Sequence, residues 1–178
     1  MIRFLFDEKK ALEALVLVAS EWPGISPFYA SKVFFLAEKQ HLNQFGRPVV
    51  GDRYIAMRNG PVPSALYDWF KGNFELTEDP GAVTDALEFN RNGRQTTVTA
   101  RREPDLEYLS ASDLEALRSA LAFCRGKAFN WLSASTYRDQ AWLNTPLNCE
   151  MDPRLMIEGP QREQVIEEAE EFAQYGVA

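Results

Sequence analysis

The chain has 178 residues, 46% of them hydrophobic and 25% charged, which is enough for one domain with a sizeable core and too apolar for disorder. Acidic residues outnumber basic ones 26 to 19, and the formal charge of −7 argues against nucleic acid as a partner. The two cysteines, Cys124 and Cys149, are too few for a disulfide framework or a zinc site, and they read as reduced, mostly buried thiols of a cytoplasmic protein.

The N-terminal apolar run is interrupted or flanked by Asp7, Glu8, Glu13 and Glu21, and no small-residue cleavage site follows it, so it is neither a signal peptide nor a membrane span. Asp7 predicts the cap of a helix reaching about Ser20, with Ala11, Leu15, Val18 and Trp22 on one face and Leu12, Val16 and Ala19 beside them. A helix apolar around most of its circumference belongs in the middle of a fold. Ser26 followed by Pro27 starts a second helix, which runs to about Phe45, where Gly46 suits a left-handed cap and Pro48 prevents continuation.

Residues 53–57 read as a short strand, Asn59-Gly60 as a tight turn, and Pro61 as a stop to any ladder beyond it. Pro63-Ser64 opens a helix through Leu66, Tyr67, Trp69 and Phe70 to Gly72. The clearest hairpin is predicted from residues 86–89 and 96–99, joined through Asn92-Gly93. Arg91, Arg94, Arg101 and Arg102 around it read as a solvated edge that discourages sheet-to-sheet association. Ser110 with Asp113 forms a capping box before a helix carrying Leu114, Leu117, Leu121 and Cys124. Shorter helical pieces are predicted around residues 130–139 and 152–158, and an acidic amphipathic helix over 161–175 closes the chain. The expectation is one mainly α (α+β) domain spanning residues 1–178, with about six helices and a small antiparallel sheet of short strands.

Catalytic machinery is not evident. The sequence holds no nucleophile elbow, P-loop, dinucleotide-binding glycine pattern or H-E-x-x-H, and the sole histidine, His41, reads as a half-exposed surface residue. Glu167, Glu168, Glu170 and Glu171 spread over the solvated side of one helix rather than converging on a metal. Lys32 shares its side of the second helix with Phe28, Tyr29, Phe35 and Leu36. That setting suits either a depressed-pKa amine for enzyme chemistry or, more commonly, an apolar stem whose ammonium reaches water or a carboxylate. Tyr54, Tyr67 and Trp69 are open to two readings, core or interface.

Taken in order, Lys32-Val33-Phe34-Phe35-Leu36-Ala37, His41-Leu42, Gly46-Arg47-Pro48, Gly51-Asp52-Arg53-Tyr54, Ala56-Met57 and Gly60-Pro61-Val62-Pro63 with Leu66-Tyr67 resemble the signature of the Panacea domain, the SocA-like antitoxin family. Leu109-Ser110, Asp113-Leu114 and the Trp142 region are similar to the family's second half. The pattern departs at Asp139, where a histidine is expected ahead of the tryptophan, and at Phe34, often a tyrosine.

The resemblance implies a non-enzymatic antitoxin of a bacterial or phage toxin-antitoxin pair, without cofactor or membrane partner, that neutralises a cognate protein toxin encoded nearby by direct binding. The alternative it implies is an adaptor that delivers the toxin to a cytoplasmic protease; an enzyme using Lys32 is the remaining reading. Motif positions expected to shape the fold are Lys32, Gly46, Pro48, Gly60, Pro61, Pro63 and Trp142. Candidate partner contacts are Tyr54, Met57, Arg58, Asn59 and Tyr67, on a loop preorganised by its glycine and prolines, with the net negative charge steering a basic toxin.

Overall fold

In the computed structural model, which describes residues 1–176, eight α-helices and four short strands occur among the described residues. Helix α1 (Glu8–Glu21) begins where the Asp7 carboxylate accepts the Lys10 amide at 2.9 Å, and all ten side chains from Lys10 to Ala19 are buried. Helix α2 (Pro27–Phe45) starts at Ser26, whose hydroxyl makes no capping bond, and ends at Gly46 in the left-handed conformation (φ 61°). A Cβ at Gly46 would also stand 2.9 Å from Glu168 Cβ, so the glycine answers both to the helix end and to a packed neighbour.

Helix α2 separates two apolar clusters, because its turns present side chains to opposite sides. Val33, Phe34 and Ala37 join the larger core built with α1, while Phe35 and Leu42 join a smaller one with Ile2, Tyr54, Met151 and Met156; Leu36 touches both. Truncating a buried phenylalanine such as Phe35 to alanine costs about 3–5 kcal/mol in such settings.

Strands β1 (Tyr54–Met57) and β2 (Gly60–Pro63) pair antiparallel with Tyr54 opposite Pro63 and Met57 opposite Gly60. Pro61 therefore lies inside the ladder, opposite Ala56, rather than stopping it. The alternation of antiparallel bonding explains this. The Ala56 amide and carbonyl bond Cys149 O and Asn148 N on the far side, which leaves positions 61 and 63 where no donor to β1 is needed. Helix α3 (Ser64–Lys71) follows at once, its first amides held by the Asp52 carboxylate at 3.0 Å (Ala65) and 3.1 Å (Leu66).

Helix α4 (Pro80–Ala86), unforeseen in the sequence, is capped by Asp79. The hairpin of β3 (Leu87–Asn92) and β4 (Gln95–Ala100) turns at Gly93-Arg94, one residue later than expected, because Asn92 still pairs with Gln95. Helix α5 (Ala111–Cys124) carries the anticipated Ser110–Asp113 capping box and packs against α2. The piece expected at 130–139 is interrupted: α6 (Phe129–Thr136) ends, and Asp139 caps α7 (Gln140–Leu143) by accepting the Ala141 amide. A 3₁₀ turn (Pro153–Leu155) and α8 (Arg162–Tyr175) complete the described chain. No helix among the described residues is long and apolar enough to cross a membrane.

Three side chains sit differently from the sequence reading. His41 is fully buried, not half-exposed: its Nδ1 donates to the Arg47 carbonyl at 2.9 Å, Nε2 accepts from Ser112 Oγ at 3.0 Å, and burial pulls its pKa below the ordinary value. Cys149 is exposed, while Cys124 is buried. Tyr54 is only 4% exposed and meets Phe35 edge-on, with ring centroids 5.6 Å apart, so it belongs to the smaller core rather than to any contact surface. Burial along β1 alternates, with Tyr54 and Ala56 turned to the smaller core beside Phe35 of α2 and Met151, while the backbone of the 148–151 segment pairs with the strand's other edge.

Candidate partner-binding site

The exposed tip of the β1–β2 hairpin is Arg58-Asn59, and the fold holds it by its backbone. Each carbonyl from residue 57 to 59 accepts from a different distant side chain: Met57 O from Trp142 Nε1 at 3.0 Å, Arg58 O from the Tyr137 hydroxyl at 2.6 Å, and Asn59 O from Lys32 Nζ at 2.6 Å. The Tyr137 and Trp142 rings pack at a 36° tilt with centroids 4.7 Å apart, so the two donors brace one another. Fixing consecutive carbonyls in this way removes backbone freedom that binding would otherwise have to remove.

Lys32 is 1% exposed, so its ammonium does not escape to water. It donates to Asn59 O and to Thr136 Oγ1 (2.9 Å), both neutral, and lies 5.3 Å from the Phe28 ring centroid. Burial lowers its pKa from 10.5 to about 7. Gly60 makes the approach feasible: its φ is 108°, and a Cβ there would overlap the ammonium and stand 2.5 Å from Thr136 Oγ1.

A second set of buried charges holds the segment that leads into β1. The Glu38 carboxylate accepts the amides of Val49 (2.8 Å), Val50 (3.3 Å) and Gly51 (3.0 Å), yet burial still raises its pKa to about 7. Burial likewise raises Asp52 to about 6 against the amides it caps.

Beside the hairpin tip opens a cleft of about 850 Å³ between the start of α2, α3 and the β3–β4 hairpin. Met57, Arg58, Asn59 and Tyr67 line it, whereas Tyr54 does not. Of the motif residues, Lys32 and Pro61 reach it and Gly60 stands directly behind, over Lys32. Trp142 supports the tip from outside, Pro63 caps α3, and Gly46 and Pro48 lie elsewhere, around the end of α2. The Lys, Arg, Asp and Glu side chains of the lining are Lys32, Arg58, Lys71, Arg91 and Arg94, all basic, against the acidic excess of the chain as a whole. Sequence reasoning missed Tyr137 and Thr136, and no local pattern marks either: their partners are 79 and 104 residues away. Among the described residues no group of three or more His, Cys, Asp or Glu side chains is placed to hold a metal.

A family model described as antitoxin SocA-like, Panacea domain, matches residues 31–143, which takes in both hairpins, the Lys32 cage and most of the cleft, and leaves out α8. No curated protein and no solved structure matches the chain.

Proposed function

The chain belongs to the antitoxin SocA-like, Panacea domain family, and on that premise we propose that it neutralises a protein toxin by binding it directly through the β1–β2 tip and the cleft beside it. An antitoxin family implies a toxin partner and a role that does not require catalysis. The observation that carries the reading is the tip itself: an exposed Arg58-Asn59 turn whose flanking carbonyls are all tied to the fold. A surface already ordered before contact loses less entropy on binding, and the Arg and Tyr side chains around it are the types that dominate binding energy elsewhere. Lys32, the one candidate for amine chemistry, is used to hold Asn59 and Thr136.

The test is co-expression with the product of the adjacent reading frame. Rescue of growth together with co-purification of the two proteins is the expected result, and an Arg58→Glu variant should lose both while melting like the parent. Unrelieved toxicity with no co-purification by the parent protein overturns the reading. A toxin that is rescued but accumulates only when a cytoplasmic protease is deleted would favour delivery to that protease over blocking.

A further inference from the structure

We propose that the cleft recognises an acidic segment of the partner protein, one carboxylate of which pairs with the Lys32 ammonium. The inference rests on the partner-binding reading above and adds to it the chemistry of what is bound.

Charge is the first argument. A chain with seven more acidic than basic groups shows a cleft with five basic side chains and no carboxylate in its lining. Two of the cations have internal roles. Lys71 pairs with Asp68 at 2.6 Å, and the Arg91 guanidinium donates to the Phe70 and Trp69 carbonyls at the end of α3. Arg58 and Arg94 stand on the two hairpin tips that flank the cleft, and no carboxylate lies within 4 Å of either among the described residues.

Lys32 supplies the second argument. A buried ammonium is tolerated when it is paired, yet this one has two neutral oxygens and an aromatic ring for company, and its third N–H meets no oxygen of the described residues. The Cys124 thiol of α5 is the titratable group whose charge acts on it, and burial pushes that thiol up to about 11, so it offers no anion near neutral pH. Left alone, Lys32 relieves its burial by giving up its proton; a carboxylate that holds it protonated has to come from outside, and although the side chain is 1% exposed, the cleft runs against it. The start of α2 opens there too, with no acidic side chain in its first turn to offset the helix dipole.

The shape suits a peptide. Phe28, Tyr67, Phe129 and Met57 add apolar wall between the cations, which an acidic segment with interspersed apolar side chains would match. A long nucleic acid would meet the remaining, net negative surface beyond the cleft, so the short polyanion is favoured.

The experiment measures the dissociation constant of the purified pair, this protein and the adjacent frame's product, from pH 6.5 to 9. Affinity of the parent should fall by up to tenfold per pH unit above 7, because Lys32 must take up a proton to pair. Lys32→Met should bind more weakly at pH 6.5 and show a flat profile in that range. Arg94→Glu, at an exposed turn where folding is not at stake, should weaken binding at least tenfold, and a decaglutamate peptide should compete with the partner. Undiminished affinity of Arg94→Glu with a pH profile shared by Lys32→Met overturns the inference while leaving direct toxin binding intact. Competition by a single-stranded oligonucleotide but not by decaglutamate overturns it in favour of nucleic acid. Absence of binding by the parent itself would fail the partner-binding reading instead.

Discussion

Replacing Gly60 by alanine is expected to be strongly destabilising. A residue with a Cβ held at φ 108° carries about 1–3 kcal/mol of backbone strain. The new carbon would overlap the Lys32 ammonium and stand 2.5 Å from Thr136 Oγ1, both anchored rather than free to swing away. Lys32 would have to withdraw from Asn59 O and Thr136 Oγ1, two charge-assisted bonds worth about 1.5–3 kcal/mol each. The sum is about 4–9 kcal/mol, comparable to the about 5–15 kcal/mol that holds a typical domain folded. Urea unfolding followed by circular dichroism reads this directly, and the same substitution made in a Lys32→Met background isolates the clash, since methionine has no atom at the Nζ position. There the alanine should cost the strain of about 1–3 kcal/mol and its remaining crowding against Thr136, without the loss of the two lysine hydrogen bonds. Equal costs in the two backgrounds, or less than about 1 kcal/mol in the parent, would refute the idea that Gly60 is required by the lysine.

Stability should pass through a minimum near pH 7. Glu38 and Asp52 have folded pKa values raised to about 7 and about 6, so the stability they contribute is complete below their unfolded values and is lost as pH rises from about 4 to about 7; Lys32, lowered to about 7, makes stability rise again from about 7 towards 10.5. His41, held below its ordinary value, opposes the acidic limb, so thermal melts of Glu38→Gln should be compared with the parent: a flatter acidic limb is expected, and superimposable curves would contradict the assignment. Tyr54→Phe removes a buried hydroxyl that has no hydrogen-bond partner, and should leave stability unchanged or raise it by about 1 kcal/mol without weakening toxin neutralisation; a loss of neutralisation at full stability would restore Tyr54 as a contact. Tyr137→Phe combined with Trp142→Phe should cost about 1–3 kcal/mol, speed amide hydrogen exchange around the Arg58-Asn59 tip and weaken partner binding, whereas unchanged exchange would show that the two donors do not order the turn.

Much of this fold is legible in the residues. Asp7, Gly46 and the Ser110–Asp113 pair mark helix ends correctly because each signal involves a backbone group within four positions. The strand at residues 53–57 and a turn after it are legible for a similar reason, since glycine constrains its own dihedral angles whatever surrounds it, but the partner strand Gly60–Pro63 is not. Errors arose where a neighbour distant in sequence decides. Pro61 sits within its ladder because the 148–151 segment takes the other edge of β1, and that same segment and α2 bury Tyr54. The donors that fix the tip come from positions 27, 79 and 85 residues away, and no local periodicity records such convergence.

The sign of the cleft makes the same point. Composition determined that the chain is acidic overall, but net charge is a sum, and a cleft depends on which members of the sum lie side by side. Local chemistry in the sequence thus determined where helices cap and chains turn. Only the tertiary structure decided that Lys32 is enclosed over Gly60 and that five basic side chains share one wall, because side-chain burial and the meeting of like charges are set by packing between segments far apart in the chain.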